Sequence, residues 1–191
     1  MKTQIVIFGL TGDLGKRKLL PALDYILNDK SADAGNLEVI GISRRQVDAQ
    51  LILEASLGQD NAQSSPLTPI LSFHKMNLAD IDDYIVLKQH LRSRRTKRGW
   101  RASETQVLFY LSVPPTSAAK ISELLGKSGL NSDNFKILFE KPFGIDLRSA
   151  EEFFARTSQY FSEKQILRVD HYLMKTPIRA LQSILEKNQI L

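Results

Sequence analysis

Three glycines, each three residues after the last, mark the first place in this chain where chemistry could be done. The segment Gly9-Leu10-Thr11-Gly12-Asp13-Leu14-Gly15 follows the apolar run Ile5-Val6-Ile7-Phe8 and leads into an amphipathic stretch. Glycine permits a tight turn and lets backbone approach a pyrophosphate with no Cβ in the way. A helix opening near Gly12 aims unpaired N–H groups and a partial positive charge at such an anion. Thr11 is placed to cap that helix, Asp13 suits its first turn, and Lys16, Arg17 and Lys18 add positive charge nearby. The same glycines would serve a strand-to-helix turn that binds nothing. Their position, after a first strand and opening a helix, favours a dinucleotide site.

A second segment bears on which dinucleotide that is. The second apolar run ends Gly41-Ile42-Ser43-Arg44-Arg45, with no carboxylate. Sites for NAD place Asp or Glu at this strand end to meet the ribose hydroxyls, whereas sites for NADP place Arg there to meet the 2′-phosphate. A guanidinium matches a phosphate bidentately and can stack on adenine. Arg44, assisted by Ser43 or Arg45, therefore argues for NADP over a plain pair of surface arginines.

A third group is Asp170-His171-Tyr172 with Lys175. Imidazole, phenol and ammonium together suit a dianionic phosphate. A carboxylate such as Asp170 can fix a histidine's tautomer and stabilise its cation. Taken alone, Asp170-His171 reads as a structural pair at a strand end. His74 and His90 fall outside these segments, one on a weak strand and one on a helix face, and read as structural or exposed rather than as a base.

These groups need elements to hold them. Strands are predicted at 3–9, 37–43, 69–76, 106–112, 135–139 and 165–169, and helices at 13–28, 46–57, 79–95, 116–127 and 146–160. The stretch 58–69 reads as loop, and a last helical pattern runs from Ile178 to Lys187. Runs such as IVIF, VLFYL and KILF are continuously apolar, as strands covered on both faces must be. Strands alternating with helices give an α/β, Rossmann-like, doubly wound and mostly parallel sheet, here one domain over 1–191.

Composition narrows the function classes. The 191 residues are 42% hydrophobic and 25% charged, ordinary for a globular domain. The absence of cysteine removes disulfides and thiolate metal sites, and no His/carboxylate spacing suggests a metal. No apolar stretch is long enough to span a membrane, so a cytoplasmic protein is expected. The net charge is +5, much of it from Arg92, Arg94, Arg95, Lys97, Arg98 and Arg101 around Trp100. No nucleic-acid-binding motif frames this cluster, and a solvated helix C-terminus accounts for it.

Four segments carry a more specific resemblance. FGLTGDLGKRKLLPAL at 8–23, YLSVPP at 110–115, EKPFG at 140–144 and RVDHYLMK at 168–175 resemble, in order, motifs of the glucose-6-phosphate dehydrogenase family. The resemblance covers essentially the whole chain. It implies a coenzyme domain in which Gly9 to Lys16, Leu10 and Leu14 included, contact the pyrophosphate of NADP and Arg44 the 2′-phosphate. It places Tyr110 and Lys141 on the nicotinamide side. Lys141, His171, Tyr172 and Lys175 would bind glucose 6-phosphate, and Asp170 would orient a base histidine.

Two positions depart from the last motif: Met174 stands for the family's glycine and Thr176 for its glutamate. Methionine there could crowd the sugar. The family's large second domain, which carries the base histidine and the dimer surface, is expected beyond this chain. The chain alone is therefore expected to bind NADP without efficient turnover. The alternatives are a non-catalytic NADP-binding module and a dehydrogenase of another sugar phosphate.

Overall fold

A computed structural model of the chain describes residues 1–169. Asp170, His171, Tyr172 and Lys175 lie outside the described residues, as do Met174, Thr176 and the helical pattern from Ile178 to Lys187. Six strands form one parallel sheet: β1 Lys2–Phe8, β2 Leu37–Ser43, β3 Leu71–Lys75, β4 Thr105–Leu111, β5 Phe135–Glu140 and β6 Ile166–Val169. Their order is β3-β2-β1-β4-β5-β6. The helices are α1 Leu20–Asn28, α2 Ala49–Leu57, α3 Gln59–Ser64, α4 Ile81–Lys97, α5 Pro115–Lys127 and α6 Leu147–Thr157.

The apolar runs fall where the sheet is covered twice. β4 is buried at all seven positions and β1 at six of seven. Because successive strand side chains face opposite sides, Ile5 and Ile7 pack with α1, α2 and α3, while Val6 and Phe8 pack with α4, α5 and α6. Helical spacing in α1 places Leu20, Leu23, Ile26 and Leu27 on the first face. Tyr84, Leu87 and Leu91 of α4 cover the second. β3 is an edge strand and only half buried.

One stretch read as loop is a helix. The polar composition of 58–69 hides α3, which Gly58 separates from α2 with a φ of 84°. Ala62 is the buried anchor of this short helix, and Thr68 caps its carbonyl through a 2.8 Å hydrogen bond. A single small apolar residue gives no periodicity, which is why the sequence pattern does not show it.

Two polar groups fasten α4 to the sheet. Glu38, fully buried on β2, accepts from Gln4 Nε2 at 2.8 Å and from Arg94 Nε at 2.6 Å. Gln4 Nε2 also donates to the Leu91 carbonyl. Arg98 lies over the Trp100 ring at 4.5 Å and donates to the carbonyls of Ala34 and Gly35. Two of the six clustered cations are thus internal fasteners, a correction to the reading of that cluster as simply a solvated helix end.

His74 and His90 are neither exposed nor conventionally satisfied. Their rings lie 4.6 Å apart between β3 and α4, and both Nε2 atoms are buried without a hydrogen-bond partner. Burial lowers the pKa of His74, partly offset by the Asp83 carboxylate. Burial also lowers that of His90, helped by His74, Arg94 and Lys97 and opposed by Glu38.

Two predictions follow from these contacts. Arg94→Met leaves a buried carboxylate uncompensated and is expected to cost about 3–5 kcal/mol in urea denaturation. The double variant Glu38→Leu/Arg94→Met should recover much of that loss. For the histidines, the unfolded chain takes up protons as pH falls through 6.5, while the folded rings resist until lower pH. Stability is therefore complete above that value, and Tm should fall between about pH 7 and about pH 5.5. His90→Phe should flatten that fall; an unchanged slope would mean the pair does not titrate against folding.

Candidate functional site

The glycine turn sits where the sheet order reverses. From β1 the chain moves toward α1 on one face, and from β4 it moves toward α5 on the other. Between the two strand ends a crevice must open, the usual ligand position in open α/β sheets. A groove of about 580 Å³ lies there, lined by Gly9, Thr11 and Gly12 after β1, Ser43 and Arg44 after β2, Asn77 to Ala79 after β3, and Ser112 to Pro114 after β4. Arg44 also lines two adjoining cavities. One, of about 440 Å³, it shares with Thr11, Ser43 and Arg45. The other, of about 350 Å³, it shares with Lys75, Met76, Asn77 and Asp83.

The three glycines do different work. Gly9 has a φ of 89°, and a Cβ there would meet the Ser112 carbonyl oxygen at 2.2 Å, so the turn itself demands glycine. A Cβ at Gly15 would meet the Leu10 carbonyl oxygen at 2.1 Å, so helix–turn packing demands it too. Gly12 meets no comparable obstacle: its nearest atom is the Gly9 oxygen at 3.1 Å, and it lines the groove. What its missing side chain leaves clear is space in the groove.

Helical hydrogen bonding begins from Gly12, whose carbonyl accepts from Lys16 N at 3.1 Å, and passes through a wide π-type turn over Gly15–Leu19. Thr11 makes no capping hydrogen bond at this start, and the Gly12 N–H turns back to the Gly9 carbonyl at 2.9 Å. Asp13 pairs with Arg17 at 2.7 Å on the surface. Leu10 is fully buried in the core, so only its backbone can meet a ligand, whereas Leu14 and Lys16 are partly exposed.

Tyr110, expected beside the nicotinamide, is 3% exposed. Its hydroxyl donates to Glu140 Oε1 at 2.6 Å, and burial, with that carboxylate, pushes its ionisation well above the ordinary tyrosine value. Its side chain thus ties β4 to Glu140 at the end of β5. Lys141 follows Glu140 and is exposed at the same end of the sheet. Residues the sequence reading passed over are Asn77, Leu78, Ala79 and Ser117, which line the groove; the available signal is their position just beyond strand carboxyl ends. Among the described residues no group of three or more histidines or carboxylates could hold a metal ion, and no helix is long and apolar enough to cross a membrane.

A family profile described as "Glucose-6-phosphate dehydrogenase, NAD binding domain" matches residues 6–179. The chain belongs to this family. It is 35% identical over 188 residues to a glucose-6-phosphate 1-dehydrogenase of Aggregatibacter actinomycetemcomitans, covering 93% of this chain and 37% of that protein. It is 33% identical to one from Mycolicibacterium smegmatis, again covering 37% of the relative. A solved glucose-6-phosphate dehydrogenase in complex with its substrate glucose 6-phosphate superposes with a TM-score of 0.79 over 90% of this chain, at 28% identity. The chain thus spans little more than a third of the length of these relatives. As a member of the glucose-6-phosphate dehydrogenase family the chain matches that family's dinucleotide-binding, Rossmann-like domain, and its cofactor class is the nicotinamide dinucleotides.

The glycines separate experimentally. Gly9→Ala should destabilise the fold by about 2 kcal/mol or more, read by denaturation. Gly12→Ala should stay within about 1 kcal/mol of the parent yet bind dinucleotide about tenfold more weakly by calorimetry.

Proposed function

We propose that this chain is the coenzyme-binding portion of an NADP-dependent glucose-6-phosphate dehydrogenase, acting at C1 of glucose 6-phosphate to give 6-phosphoglucono-lactone. The observation that carries this reading is the pairing of the family match with a β2 end that presents Ser43 and Arg44, and no carboxylate, to the switch-point groove. The turn from Gly9 to Lys16 holds the pyrophosphate with backbone N–H groups, as an open helix start favours. Arg44, with Ser43, meets the 2′-phosphate. When bound, the coenzyme supplies the hydride acceptor.

The chain's own residues bind and orient. Lys141, His171, Tyr172 and Lys175 hold the sugar phosphate, and Asp170 orients the base histidine. Neither His74 nor His90 is that base: they pack against each other between β3 and α4, apart from the residues lining the groove. Holding donor and acceptor in one geometry is a large part of the catalytic task.

Calorimetric titration of the 191-residue chain tests the reading. NADP should bind more tightly than NAD, and Arg44→Ala should weaken NADP by about 10-fold to 100-fold. Glucose 6-phosphate added to the NADP complex should give little or no NADPH. Equal affinity for NADP and NAD would set the NADP assignment aside.

A further inference from the structure

The cavity on the outer side of Arg44 contains a cation that the coenzyme reading leaves unused. Lys75 is the last residue of β3, and the β2–β3 register ends on the pair Ser43 and Lys75. The Met76 N–H then donates to the Ser43 carbonyl at 2.9 Å, so the two chains stay side by side as they leave the sheet. Arg44 follows Ser43 directly. Register and this bond therefore bring a guanidinium and an ammonium to one cavity of about 350 Å³. Arg44 and Asn77 line both this cavity and the main groove, which makes the two continuous.

The charge balance there is cationic. Among the described residues neither Arg44, Arg45 nor Lys75 has a carboxylate within ion-pair distance. The carboxylate that shares the cavity, Asp83, accepts the Asn77 N–H at 2.6 Å and is tied to the loop. Two solvent-accessible cations from neighbouring strand ends line one cavity without a carboxylate paired to either, a setting that favours a dianion. Guanidinium and ammonium also do different work on a phosphate: the first fixes orientation through two parallel bonds, and the second adds a point charge.

We infer that Lys75 is a specificity-determining residue for the coenzyme, closing on the 2′-phosphate from the β3 side while Arg44 holds it from the β2 side. This rests on the NADP reading above and assigns a second strand to it. Discrimination between NADP and NAD is then shared by two cations on two strands.

The test titrates the 191-residue chain and its Lys75→Met, Lys75→Arg and Arg44→Ala variants with NADP and with NAD. The parent should prefer NADP. Lys75→Met should cut the NADP-to-NAD preference about tenfold, and Lys75→Arg should keep most of it. If Arg44→Ala lowers the preference and Lys75→Met leaves it at the parent value, the Lys75 assignment is overturned and the NADP reading stands. If the parent itself shows no preference, both fall.

Discussion

A strand–helix–strand connection between parallel strands is right-handed, and that handedness decides where this molecule can bind anything. Starting from β1 and moving outward in either direction, it sends α1, α2 and α3 to one face and α4, α5 and α6 to the other. At the junction of the two halves the connections part, and the carboxyl ends of β1 and β4 are left uncovered. The groove lies at that parting. The glycine turn is the exit from β1, Arg44 is the exit from β2, and Ser112 to Pro114 are the exit from β4.

The opposite end of the sheet is held by electrostatics. Glu38 is a carboxylate with no solvent exposure, tolerable only because Gln4 and Arg94 complete its hydrogen bonds. α4 has to cross from the β3 edge back to β4, over the second face of the sheet. Gln4, on β1, touches both Glu38 and the Leu91 carbonyl, so one side chain ties the central strand, its neighbour and the crossing helix together. The paired histidines bridge the same helix to the edge strand, His90 on α4 and His74 on β3.

Much of this was legible in the sequence. Continuous apolar runs such as IVIF, VLFYL and KILF marked strands covered on both faces, which have no polar positions to spare, whereas the half-buried edge strand β3 gave a weaker pattern. The helix pattern and the glycine turn placed the β1 exit that lines the groove. Side-chain commitments were not legible. Nothing in the spacing distinguishes Arg94, which is locked to Glu38, from Arg92 two residues earlier. Nothing in YLSVPP shows that Tyr110 points inward to Glu140, since either face of a doubly covered strand accepts an aromatic ring. α3 escaped because its one buried residue is an alanine among polar neighbours. Lys75 escaped because its partner Arg44 is distant in sequence and adjacent only through β2–β3 register.

The unequal demands on the three glycines change what the fingerprint can report. In this chain Gly9 and Gly15 are set by backbone atoms of the protein itself, whether or not a coenzyme is bound. Gly12 is under no such obligation. Across a set of diverging sequences, drift at that middle position, with its two flanking glycines intact, would be the early sign of a domain that retains the architecture after losing its ligand.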